Sequence, residues 1–376
     1  MNADRMVPRE RVVGVLKQYD LRASLLTALP YGSGHINDTL ELVVDQAGAT
    51  VRYILQRING RIFKNPPALM ENIGRVTEHV AHQLESHYDA SRRALTLVPT
   101  RTGAFCAMDE RGDYWRIYLF IEKARTYDVI DSPARAQAAA NAFGAFMSQL
   151  SDFNASDLHE TIPDFHNTPA RLAALKEAVA ADRVGRVASA KKEIAFFLDR
   201  EEDANRALRL HRDGKLPLRV THNDCKLNNV MLDDITGEGI CVIDLDTVMP
   251  GLSLYDFGDM VRTATSPAAE DERNLSLVKM QMPMFEALVT GFLAGAGSML
   301  VNEEVEELPF AGKLITMETG IRFLTDYLNG DQYFKVARPD HNLDRCHTQC
   351  ELVRSIEAQS AAMREVVERV AGAIHT

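Results

Sequence analysis

The chain has 376 residues, 46% hydrophobic and 25% charged, which is a folded globular composition and a length that favours two lobes over one core. Its net charge of −11, from 53 acidic and 42 basic residues, repels nucleic acid and anionic membranes, and repels a nucleotide too unless cations or a metal gather at its site. No apolar run reaches the roughly 18 residues of a spanning helix, the opening MNADRMVPRERVVG has no apolar signal-peptide core, and the five cysteines read as reduced thiols, so a cytoplasmic protein is expected, of unknown oligomeric state.

The first third reads as β-rich. Leu40, Leu42 and Val44 alternate with Glu41, Val43 and Asp45, a turn follows at Gln46-Ala47-Gly48, and Val51 to Leu55 returns, a hairpin pattern. A helix-like stretch covers roughly 68–86, and a second hairpin joins 104–108 to 114–122 through Arg111-Gly112-Asp113. After about residue 123 the pattern turns helical. Ser132-Pro133 predicts an N-cap and an N1 proline, and Phe143, Phe146, Met147 and Leu150 fall on one helix face. One β interruption occurs at 218–222, 230–232 and 240–244, and helices are expected again at roughly 312–328 and 343–371. The fold class is therefore α+β, with a small antiparallel-sheet N-lobe (residues 1–122) and a larger, mainly helical C-lobe (residues 123–376). Cys346 and Cys350 share a helix face with His347, but no second ligand pair completes a metal site.

The chemistry is concentrated in His222-Asn223-Asp224-Cys225-Lys226-Leu227-Asn228-Asn229, followed by an apolar strand, a turn, and a second apolar strand that delivers Asp244. A hairpin of that length brings its ends together, so three oxygen-bearing side chains are expected to converge. Phosphoryl transfer uses such a set: Asp224 as the base that orients an acceptor hydroxyl, Asn229 and Asp244 as oxygen ligands of Mg²⁺, and Lys226 to neutralise developing charge. The spacing H-x-D-x-x-x-x-N is that of a kinase catalytic loop. Polar turn residues alone do not explain four such residues at that spacing between apolar strands.

These motifs resemble the aminoglycoside phosphotransferase/choline kinase superfamily, whose members have a protein-kinase-like two-lobe fold. Within it, Pro30-Tyr31-Gly32-Ser33-Gly34-His35-Ile36-Asn37, Tyr53-Ile54-Leu55-Gln56, Ile243-Asp244-Leu245-Asp246-Thr247, Met249-Pro250-Gly251, Asp256-Phe257-Gly258-Asp259 and Arg322-Phe323-Leu324 are similar to the N-acetylhexosamine 1-kinases, over most of the chain. The resemblance implies ATP and Mg²⁺ as cofactors and transfer to the anomeric hydroxyl of N-acetylglucosamine or N-acetylgalactosamine, with a small-molecule sugar, and neither nucleic acid nor membrane, as partner.

Residue by residue, the resemblance implies phosphate contacts from Gly32, Ser33 and Gly34, whose backbone amides can approach oxygens closely, and adenine contacts near Phe120 and Glu122. Gln56 stands where most kinases place a phosphate-pairing lysine, which leaves the source of positive charge open. His35 and Asn37 are candidates to reach phosphate or sugar. Asp246, on the same side of an extended strand as Asp244, is a candidate acceptor for sugar hydroxyls. Arg322, with Glu318 and Asp326 at i−4 and i+4, reads on its own as a solvated salt-bridge stripe; the resemblance makes Arg322 and Tyr333 sugar contacts. Asp256-Phe257-Gly258 is expected to brace the catalytic loop and not to bind metal. Cys225 reads as an inert thiol and His166 as structural. The alternatives are a kinase for another small acceptor (choline, homoserine, methylthioribose or an aminoglycoside) and a catalytically dead nucleotide-binding protein.

Overall fold

Helix α1 (Arg9–Leu16) precedes a five-stranded antiparallel sheet in the computed structural model, which describes residues 7–32, 36–129 and 131–374. The strands are β1 (Ser24–Pro30), β2 (Asp38–Gln46), β3 (Ala49–Arg57), β4 (Ala107–Met108) and β5 (Tyr114–Leu119), in the spatial order β1-β2-β3-β5-β4. The expected first hairpin is β2–β3, closed by Ala47 at φ 55° and Gly48 at φ 86°, two successive left-handed residues that match the twist of the strands. Its alternation buries Leu40, Leu42, Val44, Tyr53 and Leu55 with Trp115 and Ile117 of β5, against Val12 and Val15 of α1. Trp115 is fully buried, and its indole N–H donates to Asp109 at 2.7 Å, so no donor is stranded in the core.

Helix α2 (Pro66–Gln83) starts two residues before the expected 68. Asn65 caps it, accepting from the Ala68 N–H at 3.2 Å, and Pro66 supplies a preset φ at N1. A single turn, α3 (Ala90–Arg93), follows. This first unit, the chain up to Ala124, also takes in Ser156–Ile162 and Ile240–Met249. Buried Asn72 on α2 shows how: it exchanges hydrogen bonds with the His159 backbone, both at 2.8 Å, and donates to the Val248 carbonyl at 3.2 Å.

The chain continues through β6 (Ala124–Arg125), α4 (Pro133–Gln149), α5 (Thr168–Ala181), α6 (Lys191–Leu198), α7 (Glu201–Arg212), β7 (Arg219–Thr221), β8 (Val230–Asp233), β9 (Gly239–Val242) and β10 (Met249–Gly251). It ends with α8 (Ser253–Ala264), α9 (Met282–Ala296), α10 (Asn302–Leu328), α11 (His341–Ala358) and α12 (Ser360–Ile374). The second unit comprises Arg125–Ala155, Pro163–Gly239 and the chain from Pro250. Its core forms around α10, whose Met317, Ile321 and Leu324 meet Leu172 and Leu175 of α5, Phe197 of α6, and Cys346, Cys350 and Val353 of α11. The two α11 cysteines are thus core residues, and among the described residues no cluster of His, Cys, Asp and Glu could hold a metal.

Ser132 holds the N-cap position of α4 with Pro133 at N1, as expected; its carbonyl accepts the Ala136 N–H at 3.1 Å, while its side chain makes no cap hydrogen bond. Two expectations are corrected. Helix α10 begins ten residues before the expected 312 and carries Pro309 inside it, a residue that reads in the sequence as a break. The expected helix 343–371 is two helices, α11 and α12, parted at Gln359. Among the described residues no helix is long and apolar enough to cross a membrane.

Candidate active site

The loop after β7 is held from below. Thr221, His222 and Asn223 are buried, and Asn223 sits at φ 65°, so the chain turns sharply before Asp224. Asp256, at the start of α8, accepts the His222 N–H at 2.9 Å and the Asn223 N–H at 2.7 Å. The His222 ring packs edge-on against Phe143 and Phe146 of α4. His166 Nε2 donates to the Asn223 carbonyl at 3.0 Å, its Nδ1 bonds a Glu318 carboxylate oxygen of α10 at 2.8 Å, and Thr168 donates to the other Glu318 oxygen at 2.6 Å. Asp256-Phe257-Gly258 therefore braces the loop, as expected. Phe257 is fully buried, and a Cβ at Gly258 would overlap the Ala311 carbonyl of α10.

On this support Asp224 presents a part-exposed carboxylate. Lys226 Nζ lies 2.9 Å from one oxygen and 3.2 Å from the other. Asn229 Nδ2 donates to the Asp224 carbonyl at 2.8 Å and to its carboxylate at 3.3 Å. Burial works to raise the Asp224 pKa, but the Lys226 ammonium prevails and holds it below the usual carboxylate range. With its amide nitrogen spent on Asp224, Asn229 keeps an amide oxygen that bonds to no described residue, a hard donor suited to Mg²⁺. Cys225 is buried, and burial pushes its thiol well above the ordinary value, so it is inert.

In the first unit, Gly32 adopts φ 75° just after β1; Ser33, Gly34 and His35 lie outside the described residues. Gln56 is engaged at both ends: its amide donates to Thr39 Oγ1 at 3.0 Å, and its oxygen accepts from Arg116 Nε at 2.9 Å. Arg116, on β5, is 1% exposed and pairs with Asp246. Burial opposes its charge, yet the Asp246 carboxylate outweighs it and keeps the guanidinium pKa above its ordinary value. Asn37 donates to the other Asp246 oxygen at 2.6 Å and accepts the Asn59 N–H at 3.0 Å. The extended geometry expected at 244–246 is absent: Asp244 is left-handed at φ 60°, and Leu245–Thr247 is a helical turn. Asp246 and Asn37 thus bond to each other, and the alternation that put Asp246 beside Asp244 on a strand does not hold. Phe120 lies under the Arg52 guanidinium at 3.7 Å, and Glu122 pairs with Arg52. The Phe120 carbonyl and the Glu122 N–H bond to no described residue, leaving one backbone acceptor and one backbone donor open there.

A model of the phosphotransferase enzyme family, APH, matches residues 27–279, well over half of the chain. The chain belongs to the APH family. Among solved structures, this phosphotransferase is similar to an aminoglycoside phosphotransferase from Alicyclobacillus acidocaldarius, at 15% identity and TM-score 0.61, covering 97% of each chain. It is similar also to a spectinomycin phosphotransferase solved with ADP and spectinomycin, at 11% and 0.58 over 93% of this chain and 99% of that one. An ethanolamine kinase from Plasmodium vivax matches at 14% and 0.52, over 93% and 86%. At these identities the likeness carries the fold, and it is kinase-like: an antiparallel-sheet N-lobe of five strands and a helical C-lobe.

Among the described residues Arg322 forms no ion pair of the salt-bridge stripe that its i−4 and i+4 neighbours suggested. Glu318 turns inward to His166 and Thr168, and Asp326 accepts the backbone N–H groups of Gln332, Tyr333 and Phe334. Arg322 hydrogen-bonds to no described residue and lies 5.9, 5.8 and 5.5 Å from the rings of Phe165, Tyr333 and Phe334. Asp326 thus folds Tyr333, 68% exposed, back toward Arg322. Arg116 and Asn72 escaped the sequence reading. The signal for Arg116 was a lone charge in the apolar strand Tyr114–Leu119, since a buried guanidinium requires a partner.

Proposed function

We propose that this phosphotransferase moves the γ-phosphoryl group of ATP to the anomeric hydroxyl of an N-acetylhexosamine, giving a sugar 1-phosphate in the cytoplasm. The observation that carries the reading is Asp224: a carboxylate kept ionised by Lys226 on a loop strapped by Asp256 and His166. It can orient an acceptor hydroxyl and take its proton. Lys226, already on that carboxylate, is placed to follow negative charge as it shifts to the transferred group. Asn229 and Asp244 would hold Mg²⁺, which when bound screens phosphate charge. The glycine turn at 32–34 serves the phosphates, and Phe120 and Glu122 serve the adenine through their backbones. ADP in the similar spectinomycin phosphotransferase supports a nucleotide donor here.

For the acceptor, Arg322 with Tyr333 can donate to a sugar or N-acetyl oxygen, and the similarity of the motifs to N-acetylhexosamine 1-kinases supports this substrate. A cationic amino alcohol or aminoglycoside fits less well beside Arg322, which forms no ion pair with a carboxylate among the described residues while Glu318 is engaged by His166 and Thr168. The test is ATP consumption with a panel of N-acetylglucosamine, N-acetylgalactosamine, ethanolamine, choline, homoserine and an aminoglycoside. Turnover confined to the N-acetylhexosamines supports the reading; turnover with a cationic acceptor alone overturns the sugar while keeping the kinase.

A further inference from the structure

The strand that most kinases furnish with a phosphate-pairing lysine carries Gln56 here, and its two flanking arginines are already neutralised. Arg52 pairs with Glu41 and Glu122, and Arg57 pairs with Asp38 and Asp113. Directly across the sheet, in register with Gln56, stands Arg116. Both side chains lie on the sheet face opposite the one that buries Leu55, Trp115 and Ile117. Arg116 uses Nε on Gln56 and Nη1 on Asp246, while Nη2 donates to no described residue. Asp246 in turn holds Asn37, and Asn37 holds the Asn59 backbone.

We propose that Arg116 supplies the cation that β3 lacks: it fixes the Asp244–Asp246 turn through one arm and offers its open nitrogen to a phosphate oxygen of the nucleotide. The inference rests on the nucleotide reading above. The chemistry is a charge-assisted hydrogen bond from a fork that cannot deprotonate. The same fork joins the strand position of the missing lysine to the turn that carries Asp244, and reaches Asn37 through Asp246. Gln56 is then the neutral neighbour that orients the Arg116 guanidinium; a lysine there would face it with like charge.

The test is a charge swap between strands. ATP affinity is measured by calorimetry in buffer with EDTA, so that the readout does not depend on metal or turnover, and folding is followed by thermal melting. Arg116→Gln should weaken ATP binding by about tenfold or more, the loss of one charge-assisted hydrogen bond. Adding Gln56→Lys should restore affinity to within about threefold of the native protein, because a lysine at that register reaches the same space. A folded R116Q that binds ATP as the native protein does overturns the proposal and leaves the nucleotide reading intact. A loss in R116Q that Q56K does not recover also overturns it, since the role is then structural. Should R116Q not fold, the double variant against the native protein decides by the same threefold criterion. A native protein that binds ATP neither with EDTA nor with Mg²⁺ overturns both readings together; one that binds only with Mg²⁺ is compared with the variants in that buffer by the same criteria.

Discussion

At Asp224, three groups act on one carboxylate: Lys226 on both oxygens, Asn229 beneath it, and the backbone turn at Asn223. Removing the charge while keeping the shape isolates the base. Asp224→Asn should fold with an unchanged melt and lose roughly 10² or more in kcat; a turnover near native would remove Asp224 from the mechanism. The sign of the pH effect follows from Lys226. It holds the Asp224 pKa low, so the basic, active form persists as pH falls toward the ordinary aspartate range of about 3.9. Lys226→Met should therefore move the acid limb of kcat/KM to higher pH, measured against the native profile at matched ATP. An unmoved limb would mean that Lys226 does not tune the base. Asp224, Lys226 and Asn229 were legible because their spacing is local, within one loop. Arg116 was not, because its partners are remote in sequence: Gln56 meets it through strand register, and Asp246 through the helical turn after Asp244.

Helix α8 shows what an element adds. Its first turn supplies Asp256 to the loop, and its Gly258 lets α10 approach the backbone. Gly258→Ala places a methyl group against the Ala311 carbonyl and should lower stability by about 1–3 kcal/mol, read by thermal or denaturant unfolding. An unchanged midpoint would show that the two helices yield without cost. The bracing role was legible in the motif; the reach of α10 was not. Pro309 reads as a stop in sequence, yet tertiary packing of Leu308, Ala311 and Leu314 carries the helix through it. The extended geometry expected from Asp244 to Asp246 failed for a related reason: period-two reasoning assumes a strand, and the chain turns at Asp244 instead.

At the scale of the molecule, the lobes were legible because hydrophobic period changes from two to 3.6 along the chain, and the motif at 222–229 follows that change. What periodicity does not carry is the pair of segments, Ser156–Ile162 and Ile240–Met249, that join the first unit through contacts such as those of Asn72. On the proposed reading, acceptor identity is also a whole-molecule property, set by Arg322, Tyr333 and the loop carrying Asp224 together. The most direct measurement is phosphorus NMR of the pure protein with ATP, Mg²⁺ and N-acetylglucosamine or N-acetylgalactosamine. An anomeric phosphate resonance, coupled to the sugar H1 and rising as ADP forms, is the predicted result. Product phosphorylated at another hydroxyl, or no product with either sugar while ethanolamine or an aminoglycoside is phosphorylated, would contradict it.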